Sequence, residues 1–140
     1  MESPENDQEL KLDFLLSLAT QNTTEAWRKI DEKLPSICDR TDILNWAKEN
    51  TQNEDDGLRD LAATILESSS LDLELEDIVK LKELMSDKSY PGFRAACALA
   101  KRFKNPAVSP AIALVKQKLQ DFLKDEDVSE IAQKYLDLLK

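Results

Sequence analysis

Three apolar triplets, Leu58-Ala62-Ile65, Phe93-Cys97-Ala100 and Val128-Ala132-Tyr135, recur at an interval of 35 residues that does not drift. Within each triplet the spacing i, i+4, i+7 puts all three side chains on one face of an α-helix. An internal period of about 20–50 residues is the mark of stacked helical units, each burying its apolar face only against its neighbours. Stepping back 35 residues from the first triplet gives Thr23-Trp27-Ile30, a weaker copy with a polar first member and a bulky middle one. A terminal unit of a stack, with one side facing water, is expected to deviate in this way.

The hydrophobic pattern predicts eight helices. The first covers residues 10–19, with Leu12, Leu15, Leu16 and Ala19 on one face. A second opens on Asn22, three residues before Glu25, turns Trp27, Ile30 and Leu34 inward and ends at Pro35, which is expected to break the chain. The third starts near Thr41 or Asp42 and carries Ile43, Leu44, Trp46 and Ala47; the polar run 50–56 then forms a turn before a fourth helix over 57–67. A fifth over 73–85 buries Leu75, Ile78, Val79 and Leu84, and Pro91 opens the sixth. Ser109-Pro110 reads as an N-cap followed by proline at the first helical position of a seventh helix, which runs to residue 124 and buries Ile112, Val115, Leu119 and Phe122. Asp127, three residues before Glu130, reads as a capping box for the eighth. Strand signals are absent, because the β-branched residues are scattered instead of alternating.

Eight helices make four antiparallel pairs, and four units of 35 residues fill the chain of 140. The expected organisation is a single domain: a polar leader over 1–7, an atypical N-terminal pair over 8–40, and three repeats of about 35 residues over 41–140.

The turns before the second helix of each pair add a motif. Asp55-Asp56-Gly57 precedes Leu58-Arg59 and Ala62-Ala63; Asp87 and Pro91-Gly92 precede Phe93-Arg94 and Ala95-Ala96. The third copy, Asp125-Glu126-Asp127-Val128 with Ala132, has Ser129 where the arginine would stand. This pattern resembles the HEAT repeat. The resemblance implies an all-α, right-handed α-α superhelix, with Arg59 and Arg94 joining neighbouring turns and the second helices lining a concave side. It speaks to architecture, and the family consists chiefly of scaffolds and adaptors.

Composition narrows the function. Apolar residues make up 41% and charged residues 34%, with two glycines, which fits a helix-rich globular chain. There is no histidine, which removes the commonest general base, the Ser-His and Cys-His nucleophile systems and imidazole metal sites. Counting back from Gly57 as the sixth position of a calcium loop puts Gln52 first and Ala63 twelfth, where acids are required, so that motif fails. The acid pairs Asp55-Asp56, Glu76-Asp77 and Asp125-Glu126-Asp127 fall at helix starts, where carboxylates favour the positive end of the helix dipole. Cys38 and Cys97 lack metal or redox spacing; Cys97 stands in a core triplet as a small hydrophobe. Residues 1–7 do not read as a secretory signal, so a cytoplasmic protein without cofactor or metal is expected.

The net charge of −9 is uneven: residues 1–35 and 36–70 sum to −4 and −5, whereas 71–105 and 106–140 sum to +1 and −1. Acidity disfavours nucleic acid and favours a basic protein partner. The triplet register also assigns an outward face to each second helix: Glu25, Arg28 and Glu32; Asp60, Ala63 and Glu67; Ala95, Ala98 and Arg102; Glu130, Gln133 and Asp137. If these line a groove, it is acidic with a saddle at Ala63, Ala95 and Ala98, suited to a basic helix or peptide. The expected function is a non-enzymatic protein-interaction module or adaptor. The competing expectation is a HEAT-like nucleic-acid-binding or nucleotide-modifying protein using Lys101, Arg102, Lys104, Lys116 and Lys118.

Overall fold

The computed structural model describes residues 11–140, so the leader and Leu10 of the expected first helix lie outside the described residues. The chain forms two compact units, Met1–Ser70 and Leu71–Lys140, and is all-helical, with no strand among the described residues. The boundary coincides with the change in charge, since residues 1–70 carry 16 acids against 7 basic residues and residues 71–140 carry 12 of each.

Unit 1 holds α1 (Leu12–Gln21), α2 (Thr24–Ile37), α3 (Thr41–Glu49) and α4 (Asp56–Ser68). Asn22 takes the left-handed conformation, φ 54°, that ends α1. Asn22 therefore closes one helix instead of opening the next. The N-cap of α2 is Thr23, whose hydroxyl accepts from the Ala26 N–H at 3.1 Å. Pro35 also departs from expectation, lying inside α2. A proline removes one ladder bond, but Cys38 N–H still donates to Leu34 O at 2.8 Å, so the helix runs on past it.

Helix α4 is the hub of unit 1, packed against α1, α2 and α3. Its first turn is held by Asp55, which accepts from Leu58 N–H at 3.0 Å. Leu61, Ala62, Ala63, Ile65 and Leu66 are fully buried along it. Gly57 lies so close to α1 that an added Cβ would stand 1.9 Å from the Ala19 carbonyl oxygen. The glycine that resembled a calcium-loop position is thus the point where two backbones touch.

Unit 2 holds α5 (Leu75–Leu84), α6 (Tyr90–Lys101), a short 3₁₀ turn (Ser109–Ala111), α7 (Ile112–Asp121) and α8 (Ser129–Leu138). Helix α6 is its hub, in contact with α5, α7 and α8, and every residue from Ala95 to Ala100 is fully buried. Phe93 packs on Phe122 with ring centroids 4.8 Å apart. In α5 the buried apolar positions are Ile78, Leu81 and Leu84, while Leu75 and Val79, expected inside, are 66% and 43% exposed. Val115 and Leu119 of α7 are buried as expected; Ile112 and Phe122 are only half-buried. Ser109-Pro110 lies in the 3₁₀ turn and does not cap α7. The turn before α8 is built on Asp125, not Asp127: Asp125 accepts from the Asp127 N–H at 2.9 Å.

The register of the triplets is visible in burial. Eight of the nine side chains are buried, and only Leu58 is half-buried. Of the weaker copy, Ile30 is buried, Trp27 is half-buried with its indole N–H donating to Asn22 Oδ1 at 2.8 Å, and Thr23 is exposed as the cap.

Two substitutions test this packing. Gly57→Ala places a favoured helix former in α4, which in an open helix stabilises by about 1 kcal/mol. Here the clash with Ala19 predicts the opposite sign, a loss of about 1–3 kcal/mol in urea unfolding; a gain would show that the α1–α4 contact is wrong. Ala62→Leu, at a fully buried position, is expected to cost a similar ~1–3 kcal/mol by overpacking.

Candidate functional site

Most of the acidic clusters are occupied in building the fold. Asp39 accepts from the Ser69 hydroxyl at 2.6 Å and from Ser70 N–H and hydroxyl at 3.1 and 2.7 Å, tying the end of α2 to the end of α4. Asp87 accepts from the N–H and hydroxyl of Ser89 at 2.8 and 2.6 Å. Asp77 accepts from the Glu74 N–H at 3.3 Å, and Glu76 pairs with Lys80 at 3.5 Å. Arg59 donates to the Asn53 and Glu54 carbonyls and pairs with Asp56, all within its own turn. Of these, Asp56, Glu76 and Asp77 sit in the first turn of a helix, where the sequence places them, whereas Asp39 binds at a helix end. Among the described residues no group of three or more His, Cys, Asp or Glu is placed to hold a metal ion.

One polar joint spans the repeat interval. The Tyr90 hydroxyl donates to Asp125 Oδ2 at 2.9 Å, linking residues 35 apart, and the Tyr90 ring tilts against Phe122 at 6.0 Å. The hydrogen bond to Asp125, then partial burial, then the charges of Asp125 and Asp127 push the Tyr90 phenol up to about 12.

The expected outward face of the second helices divides into two sets. Glu25, Arg28 and Glu32 on α2 are exposed, with Glu25 and Arg28 4.0 Å apart, and Glu130, Gln133 and Asp137 on α8 are exposed as well. Gln133, donating at 2.9 Å, and Lys140, at 3.3 Å, hold the Asp137 carboxyl below the usual carboxylate range. Glu67 is half-buried. Asp60, Ala63, Ala95, Ala98 and Arg102, however, are buried, the three alanines completely. The reason is that α4 and α6 are covered by several helices, so their second face is an interior face too. The alanine saddle is packing, not an open surface.

Arg102 shows what the outward reading missed. Its guanidinium donates to Leu71 O at 2.8 Å and Ala98 O at 3.3 Å, and Asn105 beside it donates to Asp72 and Leu73. Arg102 therefore fastens the end of α6 to the segment leading into α5. Lys118 likewise donates to Asp87 O at 3.1 Å. Of the expected basic patch, Lys101 and Lys104 are exposed and Lys116 is half-buried, while Arg102 is taken into the interior.

Two surfaces stand out among the described residues. On unit 1, nine acids are exposed against four basic residues among the described positions, giving an outward field of one sign. There the Arg40 guanidinium, donating to Asp42 at 2.8 and 3.1 Å, holds the Asp42 carboxyl below its usual range. On unit 2, a shallow cleft of about 270 Å³ lies between the end of α5 and the outer side of α7, lined by Lys82, Met85, Leu114, Gln117, Lys118 and Asp121. Leu114 is 66% exposed. Helix α5 carries two apolar stripes, Ile78-Leu81-Leu84 and Leu75-Val79, more than one buried face can use.

No family model, curated protein or solved structure matches the chain. No helix among the described residues is long and apolar enough to cross a membrane.

The polar joints make two expectations. Arg102→Met keeps the apolar bulk but leaves two carbonyls without their charged donor, and is expected to cost about 1.5–3 kcal/mol in thermal unfolding. An absorbance titration of the two tyrosines is expected to show one component near pH 12, which Tyr90→Phe removes. Because the folded value is raised above that of the unfolded chain, the Tyr90 contribution is complete below about pH 10 and disappears as the pH passes about 12. A stability difference between wild type and Tyr90→Phe that does not shrink over that window contradicts the joint.

Proposed function

We propose that the chain is a cytoplasmic, non-enzymatic protein-binding module of HEAT-like build, a right-handed array of about four helix pairs that engages a basic protein partner through the acidic surface of unit 1. The observation that carries this reading is the distribution of charge: the whole excess of −9 lies in residues 1–70, and among the described residues of that stretch nine acids are exposed against four basic residues. A field of one sign raises the encounter rate with an oppositely charged surface and repels nucleic acid and anionic lipid. Helix α2 presents the exposed carboxylates Glu25 and Glu32 seven residues apart, two helical turns along one face.

The repeat architecture is supported by the buried 35-residue register and by the Tyr90–Asp125 joint between equivalent positions of successive repeats. The non-enzymatic reading is supported by the consumption of the turn carboxylates as caps and clamps. The nucleic-acid alternative loses Arg102 to the interior and gives Lys118 a backbone partner.

The test is reversal of the two carboxylates. Glu25→Lys/Glu32→Lys alters only exposed positions, so folding stability stays within about 0.5 kcal/mol. Recovery of basic proteins crosslinked to the full chain in native lysate is expected to fall about tenfold at about 0.15 M salt. Recovery that is unchanged, or that rises for the reversed variant, contradicts the reading.

A further inference from the structure

The α5–α7 cleft differs in chemistry from the acidic surface of unit 1. At about 270 Å³ it lies below the range of pockets that enclose a drug-sized molecule, and it is open. A small ligand would keep much of its surface in water there. What the cleft offers instead is the corrugation between two helices, with an apolar floor at Met85 and a two-thirds-exposed Leu114. Leu75 and Val79 do not line the cleft, but they stand on the same helical stripe of α5 as Lys82, at spacings of four and three residues. These are among the most exposed large apolar side chains of the described chain.

Charge decides what fits. Lys82 and Lys118 border the cleft against one acid, Asp121. Lys118 is held in place by its bond to Asp87 O, so its ammonium is pre-positioned and loses little freedom when it meets a further acceptor. A basic segment would place like charges beside both lysines, whereas carboxylates would meet them. With no sheet edge among the described residues to extend, a helix laid into the groove between two helices is the mode these surfaces support.

We propose that the α5–α7 cleft seats an amphipathic helix of a protein partner, its apolar edge covering Leu114 and Met85 and its flanking carboxylates meeting Lys82 and Lys118. The segment it takes has the opposite charge to the one expected on unit 1.

A displayed library of helical peptides, selected on the full chain and counter-selected on Leu114→Glu, tests this directly. Leu114 is exposed, so the variant folds. Selection is expected to enrich peptides with apolar residues at i, i+3 or i+4 and i+7, flanked by Asp or Glu. By fluorescence anisotropy, such a peptide is expected to lose at least about tenfold in affinity on Leu114→Glu and about threefold or more on Lys82→Glu. Enrichment of basic or non-helical peptides overturns the proposal, as does the absence of peptides that depend on Leu114, or affinity unchanged by both variants. Basic peptides that lose binding on Glu25→Lys/Glu32→Lys but not on Leu114→Glu would overturn the cleft while supporting the unit 1 surface.

Discussion

The close enclosure of α4 and α6 is the constraint from which the other features follow. Each is packed by three helices of its own unit, so neither has a free side along most of its length. Interiors packed at crystal-like density tolerate no surplus volume. The sequence answers with Ala62-Ala63 in α4 and with Ala95, Ala96, Cys97, Ala98 and Ala100 in α6, all fully buried. At Gly57 even a methyl group is excluded by the Ala19 carbonyl. Large side chains alternate with these small ones, Leu61, Ile65 and Leu66 in α4 and Phe93 and Leu99 in α6, and meet Leu15, Ile30, Ile43 and Ile78 of the surrounding helices, all fully buried.

Enclosure also sets the fate of the polar residues. Helix ends leave carbonyl and N–H groups that need partners, and here side chains some 30 residues away in sequence supply several of them. Asp39 accepts from the Ser70 N–H, Arg102 donates to the Leu71 carbonyl and Lys118 to the Asp87 carbonyl, while Tyr90 and Asp125 join side chain to side chain. Within each unit the loops are joined by such bonds. Residues with the look of catalytic or groove chemistry are thereby fixed as fasteners. Among the surfaces left exposed are the acids of unit 1 and the apolar, lysine-edged cleft of unit 2.

The fold was legible where the period governs. The 35-residue register located the buried side chains of α4, α6 and α8, and the helical pattern matches the order of the eight α-helices among the described residues. It was less legible where one helix meets several neighbours. A two-sided amphipathic reading assigned Ala63, Ala95 and Ala98 to an outer face because it assumed that each second helix has one. Small residues on the second face were the available signal, since exposed helix faces are ordinarily charged or long-chained. In α5 the error ran the other way: Leu75 and Val79 are apolar but exposed, and periodicity cannot say which of two apolar stripes is covered. The caps failed for a local reason. Asn22, Thr23 and Asp125, Asp127 each offer two candidates within two residues, and left-handed Asn22 at the end of α1 leaves Thr23 to cap α2.

Hydrogen–deuterium exchange of the full chain is the most direct measurement of the enclosure of α4 and α6. Amides enclosed by several helices open only with the unit as a whole, whereas helices with a solvent face open locally. The slowest-exchanging amides of unit 1 are expected in α4, around Leu61–Leu66, and those of unit 2 in α6, around Ala95–Ala100. Slower exchange in α5 or α7 than in α6, or in α2 than in α4, would contradict the account and return the second-helix faces to solvent.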